Sequence, residues 1–166
     1  MCADRARKNE RALKNLQQAL SMEIAAVHQY LLHAHVLEDW GLDRLSQKMT
    51  VEMQEELGHA SSFIDRMLYL GGDPVVTEAK VVKRSHSLAE MFKADLADEL
   101  ASIEFYCKSA GEAAEDGDVG TRRLFEKMLI DEEGHADWLQ RQLELLERMG
   151  EQNYVAAYHT PETGED

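Results

Sequence analysis

Residues 55–60 read EELGHA, and residues 131–136 read DEEGHA. Each stretch places a glutamate three residues before a histidine: Glu56 with His59, and Glu132 with His135. Residues at i and i+3 project from the same face of a helix. The apolar residues around both motifs recur at helical spacing. Leu45, Met49, Met53, Leu57, Phe63, Ile64, Met67 and Leu68 surround the first; Leu124, Met128, Leu129, Trp138, Leu139, Leu143 and Leu146 surround the second. Both Glu-x-x-His pairs therefore ride on apolar helix stripes, where a merely solvated side chain does not belong.

Outward from these motifs, the chain repeats itself. EIAAVHQY (23–30) and ELASIEFY (99–106) share Glu, an aliphatic residue, Ala, a branched aliphatic residue and Tyr in register. Thirty-three residues separate Glu23 from Glu56, and thirty-three separate Glu99 from Glu132. Two local matches at one common interval describe a duplicated helical hairpin. Its first helix runs from about Asn9 to Trp40, along Leu13, Leu16, Leu20, Ile24, Val27 and Leu31, and stops at Gly41. The second runs from about Leu42 to Leu70 and ends at GGDP (71–74). SLAE (87–90) is a capping box opening the third helix, which continues through Met91, Leu96, Leu100 and Ile103 to about Ala114. EDGD breaks the chain before a fourth helix from about Thr121 to Gly150, and EQNYVAAY makes a short fifth.

Long helices of about 40–50 Å follow from the 1.5 Å rise. The connections within each hairpin are short. The middle one, residues 71–86, reaches roughly 50 Å when extended, the length of the bundle. The predicted architecture is all-α: a four-helix bundle with one long crossover between helices 2 and 3 and a short C-terminal helix. Residues 1–158 read as one domain and 159–166 as a disordered tail. The only prolines, Pro74 and Pro161, lie outside the helices.

The pattern also sets an electrostatic problem. Glu23 lies among Leu20, Ile24 and Val27, and Glu99 among Leu96, Leu100 and Ile103. With Glu56 and Glu132, four carboxylates point into the core, and unpaired charge there is prohibitive. The core-facing positions offer too few Lys or Arg to balance it. Two divalent metal ions held by four carboxylates and two imidazoles would balance it, each hairpin supplying half the site. One Glu from each of two helices, plus Glu-x-x-His from each of the other two, is the di-iron carboxylate pattern. This ligand chemistry suits iron, manganese or zinc.

The totals narrow the classes. Thirty-two acidic residues against eighteen basic ones give a net charge of −14 over 166 residues, unsuited to nucleic acid and suited to cations. Nothing is long and apolar enough to span a membrane, and MCADRARKNERALKN lacks the apolar run of a secretory leader. Cys2 and Cys107 match no zinc or redox spacing, so a reducing, cytoplasmic setting is expected.

Over Leu13 to Ala157, the stretches MEIAAVHQYLLHA, WGLDRL, EELGHASSFIDRMLYLGG, MFKADLADEL, LIDEEGHADWL and RMGEQNY make the chain resemble the bacterioferritins. That resemblance implies a ferritin-like bundle and iron storage with ferroxidase activity: Fe(II) is oxidised by O2 or H2O2 at two non-haem irons per subunit. It implies Glu23, Glu56, His59, Glu99, Glu132 and His135 as the iron ligands, with Glu56 and Glu132 bridging. Tyr30 takes the place of the near-site tyrosine. Trp40 and Trp138 match family tryptophans. It also implies self-association into a hollow cage of roughly 24 subunits.

Two positions depart from the family. It ligates haem through a methionine just after the second-helix glutamate, where this chain has Leu57. Leucine cannot ligate iron, which argues against haem in a cage of this chain alone and leaves a second subunit type as the source of a methionine; Met53 reads as a core or interface residue. The histidine of the family's auxiliary inner-surface iron site is matched by Val51, whereas Glu55 keeps a carboxylate there.

Other readings compete. A peroxide-reducing di-iron enzyme of the rubrerythrin type would want a cysteine-rich electron entry that this sequence lacks. A di-iron oxygenase would want a substrate cavity. A cage subunit with structural zinc needs no chemistry. Tyr106 sits on the metal face like Tyr30. His28, His33, His35, His86 and His159 read as surface or interface residues, and GEAAEDGD (111–118) as a solvated turn or an iron entry pore.

Overall fold

A computed structural model describes residues 2–159, with side chains from residue 9 onward. Most of the tail expected to be disordered, 160–166, lies outside the described residues, as does the Cys2 side chain. Five helices follow in order: α1 (Cys2–Asp39), α2 (Asp43–Tyr69), α3 (Leu88–Glu115), α4 (Val119–Met149) and α5 (Glu151–Tyr158). No strand occurs among the described residues.

The helix ends follow local chemistry. Gly41 and Gly150, at φ 73° and 74°, take the left-handed turns that close α1 and α4. Ser87 accepts a hydrogen bond from the Glu90 amide, and Glu90 accepts from the His86 amide, so the SLAE signal caps α3. Asp118 accepts from the Thr121 amide and starts α4 two residues earlier than expected. Helix α1 begins well before Asn9 because CADRARKN is rich in helix formers, although it carries no apolar period.

Helices α1 and α2 pack as one antiparallel hairpin and α3 and α4 as the other. Two apolar clusters result. One gathers Leu37, Leu42, Leu45, Met91, Phe92, Leu139 and Tyr154; the other gathers Leu16, Leu20, Phe63, Met67, Tyr106, Phe125 and Met128. On every long helix the six expected ligands fall between these clusters, so a polar layer divides the apolar core, while the expected Tyr30 belongs to the first cluster.

The crossover lies along α1. Gln17 grips both the amide and the carbonyl of Val75, Gln29 does the same for Lys83, and the Ala79 amide donates to the Ser21 carbonyl at 2.8 Å. Two side-chain amides thus replace the backbone partners an irregular segment would otherwise lack.

Several expected core positions are corrected. Leu31, Leu57, Leu68 and Leu100 are 44–56% exposed. On α1 the inward positions are Leu16, Leu20, Glu23, Tyr30, Ala34 and Leu37, and Leu31 lies one residue, about 100°, off that line. His33 is not at the surface but fully buried: its Nδ1 lies 3.0 Å from Asp95, and its Nε2 meets Gln29 and Ser85. In GEAAEDGD, Arg11 holds Asp116 at 2.8 Å and Glu115 at 3.2 Å, and Arg66 holds Asp118 at 2.6 Å, so three of its acids are engaged by arginines.

Candidate metal centre

Glu23 from α1, Glu56 and His59 from α2, Glu99 from α3, and Glu132 and His135 from α4 meet in the polar layer. None is more than 7% exposed. Their ligand atoms form two groups, in each of which all lie within 4.8 Å of one another: Glu23, Glu56, His59 and Glu132; and Glu56, Glu99, Glu132 and His135. Glu56 and Glu132 belong to both. His59 Nδ1 lies 2.9 Å from Glu56 and 3.2 Å from Glu132, and His135 Nδ1 lies 3.0 Å from each. The two imidazole rings stack with centroids 6.3 Å apart.

The unshared carboxylates are steadied across the bundle. Tyr106 on α3 donates to Glu23 on α1, and Tyr30 on α1 donates to Glu99 on α3. Tyr30 thus lies at the site as expected, and Tyr106 stands to Glu23 as Tyr30 stands to Glu99.

The donor set fits a pair of divalent cations on two observations. Each group offers three carboxylates and one imidazole nitrogen, a hard, oxygen-rich environment. Glu56 Oε1 and Glu132 Oε1 are also buried without a hydrogen bond of their own: each meets only an imidazole Nδ1, 3.0 and 3.2 Å away, that is already bonded to an oxygen of the other carboxylate, which leaves room for a further ligand.

Without cations, protons balance the charge. Burial, followed by repulsion from neighbouring carboxylates, pushes Glu23 and Glu99 well above the usual carboxylate range. Burial also opposes charge on Glu56 and Glu132, but hydrogen bonds from His135 and His59 win and lower both, Glu132 to about 2. Against the effect of burial, bonds to these carboxylates raise His59 to about 10 and His135 to about 11. Two imidazolium rings facing two carboxylates, beside two carboxylic acids, make a neutral cluster. Lys and Arg are thus not needed, and protons can balance the charge that two cations were expected to balance.

The distal nitrogens face the other way. His59 Nε2 is 3.3 Å from Asp131, and His135 Nε2 is 2.8 Å from Glu52 and 3.4 Å from Glu55. Lys127 pairs with Asp131 at 2.7 Å. Lys48 pairs with Glu52 while lying over the Trp138 ring, 5.1 Å from its centroid. Sequence reasoning missed Glu52, though its place one helical turn before Glu56 was a readable signal. Leu57 and Val51 are about half exposed, and Met53 is partly buried against the cluster containing Met49 and Leu139.

Residues 13–149 match the family model described as a ferritin-like domain. The bacterioferritin of Rhodobacter capsulatus is 34% identical over 151 residues, spanning 91% of this chain and 94% of that protein. The bacterioferritin of Brucella melitensis is 36% identical over 144 residues, spanning 87% and 89%. A solved structure of the Rhodobacter capsulatus protein, described with a metal-free dinuclear site and a haem iron, superimposes with a TM-score of 0.90 over 93% of this chain and 97% of that one, at 33% identity. Mycobacterium tuberculosis bacterioferritin gives 0.87 over 90% and 94%, also at 33% identity. Over nearly its whole length, and with its carboxylates and histidines gathered between two apolar clusters, the chain belongs to the bacterioferritins, ferritin-like iron-storage proteins.

Proposed function

We propose that the chain is a ferroxidase subunit. It takes up two Fe(II) as substrate between the four helices, passes one electron from each to O2 or H2O2, and delivers Fe(III) to a mineral stored inside a hollow assembly of many copies. The observation that carries this reading is the overlap of two ligand groups on Glu56 and Glu132. Shared carboxylates place two metals side by side, so two electrons are available to one oxidant. A structural zinc site has no need of that arrangement.

The iron pair supplies the redox chemistry. The protein supplies position, charge and proton traffic. Glu56 and Glu132 tie the two positions together, and Glu23 and Glu99 each complete one. Tyr106 and Tyr30 hold those two carboxylates in place by hydrogen bonds. As cations enter, His59 and His135 release protons from Nδ1, and Glu23 and Glu99 release theirs; the same carboxylates can take protons up as Fe(III) departs. Acidic residues outnumber basic ones by fourteen, which favours cation concentration at the surface.

Assembly and cytoplasmic residence belong to the same proposal. The family supports self-association, and the apolar residues Leu31, Leu57, Leu68 and Leu100 offer exposed surface for it. No helix among the described residues is long and apolar enough to cross a membrane. Haem held at position 57 would require a methionine supplied by a different subunit.

Glu56→Ala and His59→Ala test the reading. Each should abolish fast Fe(II) oxidation in stopped-flow absorbance while size exclusion still shows the assembled particle. Unchanged oxidation in both variants would remove the centre from the mechanism.

A further inference from the structure

Between α1 and α3 a cavity of about 210 Å³ connects the surface with the metal centre. Glu23, Glu56, Glu99 and Glu132 form its floor, the small side chains of Ala25 and Ala101 help form its walls, and Lys80 and Asp98 stand at its outer end. Lys80 belongs to the crossover and Asp98 to α3; the two form an ion pair. The neighbouring Ala79 is tied to α1 through its amide, which fixes the backbone over the opening while the Lys80 side chain remains half exposed.

We propose that this cavity is an entry route for divalent cations and that Lys80 and Asp98 form an electrostatic latch on it. Asp98 receives the incoming cation, and the Lys80 ammonium opposes entry until it swings away. The inference rests on reading the six-residue cluster as the metal centre.

Charge and geometry carry it. Four carboxyl groups able to ligate a cation lie on the floor, so the opening leads to a destination for positive charge. The ammonium standing there occupies the place a dication must cross. It sits on a flexible four-carbon stem and can leave without any helix moving. An exposed ion pair holds weakly, so the latch slows passage without closing it.

The test uses the full-length, assembled, metal-free protein and Co(II) alone, with uptake followed by stopped-flow absorbance. At low ionic strength, Lys80→Gln leaves the mouth negative and should bind Co(II) about fivefold faster. Asp98→Asn leaves it positive and should bind about fivefold more slowly, as expected for one charge acting on a dication across several ångströms of water. The double variant restores neutrality and should return close to the parent rate. At about 0.5 M salt the four rates should converge.

The number of Co(II) bound at saturation reads the centre separately. Two per chain with equal rates in all four proteins at low salt would overturn the latch while leaving the centre intact. Acceleration by both single substitutions would overturn it too, because the pair would then block by bulk and not by charge. Fewer than two Co(II) per parent chain would bring down centre and latch together.

Discussion

The two halves of the metal centre carry the same ligands in different surroundings. On the Glu23 side, the steadying tyrosine is Tyr106, packed among Phe63, Phe105 and Phe125. On the Glu99 side it is Tyr30, one helical turn before His33, whose contacts with Asp95, Gln29 and Ser85 form a buried polar network. The distal nitrogens differ as well: His59 faces a partly exposed Asp131, whereas His135 faces a buried Glu52. On the two-cation reading proposed above, the repeated hairpin has kept what both cations need and diverged wherever only one is served. The two positions should therefore be separable by mutation, except at the carboxylates they share.

The sharpest break comes from those shared groups. Glu56→Ala should remove both cation positions, and saturating Co(II) should fall from two per chain toward none. Glu23→Ala should leave the group formed by Glu56, Glu99, Glu132 and His135 and retain about one Co(II) per chain, as the donor count of that group allows. Calorimetric titration reads the stoichiometry, and circular dichroism confirms the helices. Equal losses in the two variants would mean that the positions are not distinct.

Protonation offers a second way to sharpen the picture, because it acts on both halves at once. His59 and His135 are raised from 6.5 to about 10 and about 11. Their contribution to the metal-free fold is full below pH 6.5 and is lost as pH rises through those values. Glu132 is depressed from 4.5 to about 2, so its contribution is present above pH 4.5 and is lost as pH falls through about 2. Glu23 and Glu99 are raised, so they weaken the metal-free fold as pH climbs past 4.5. The stripped protein should then be most stable between pH 4.5 and 6.5 and lose stability toward pH 9. Cations require the deprotonated ligands, and their binding should release about four protons per pair near neutral pH. The gap in Tm between Zn(II)-loaded and chelated protein should widen from about pH 6 to about pH 9. Parallel slopes would show that the cluster does not exchange protons for cations.

The fold and the six gathered residues were legible because their signals are local and repeated: Glu-x-x-His on an apolar stripe, twice, each at the same interval from a lone glutamate. The misreadings share a different character. The partner of His33, Asp95, is 62 residues away, and nothing around residue 33 announces it. Tyr106 was seen on the metal face, but its pairing with Glu23 spans 83 residues. Leu31, Leu57, Leu68 and Leu100 satisfy a loose helical period, yet hydrophobicity does not distinguish an inward position from one at the surface. Lys80 and Asp98 meet only because the crossover returns along α1, and an irregular segment has no period from which to read that path.

The finest difference lies behind the histidines. A group that accepts from the distal N–H of a metal-binding imidazole fixes its tautomer and raises its basicity, and losing such a partner weakens metal affinity about 10- to 100-fold. Glu52 lies 2.8 Å from the distal nitrogen of His135 and is almost fully buried, with neither atom hydrogen-bonded in the metal-free cluster; Asp131 lies 3.3 Å from that of His59 with a quarter of its side chain exposed, where water can replace it. Glu52→Ala should therefore weaken one Co(II) step by about tenfold or more, and Asp131→Ala should weaken the other by less. Lys48→Ala separates charge from orientation, because it frees the Glu52 carboxylate without removing it. If Glu52 acts by holding His135, affinity in Lys48→Ala should stay within a few-fold of the parent, whereas Glu52→Ala loses the larger factor. Equal effects of Glu52→Ala and Asp131→Ala would mean that burial and distance do not set the strength of these contacts, and the asymmetry between the two halves would then end at the tyrosines.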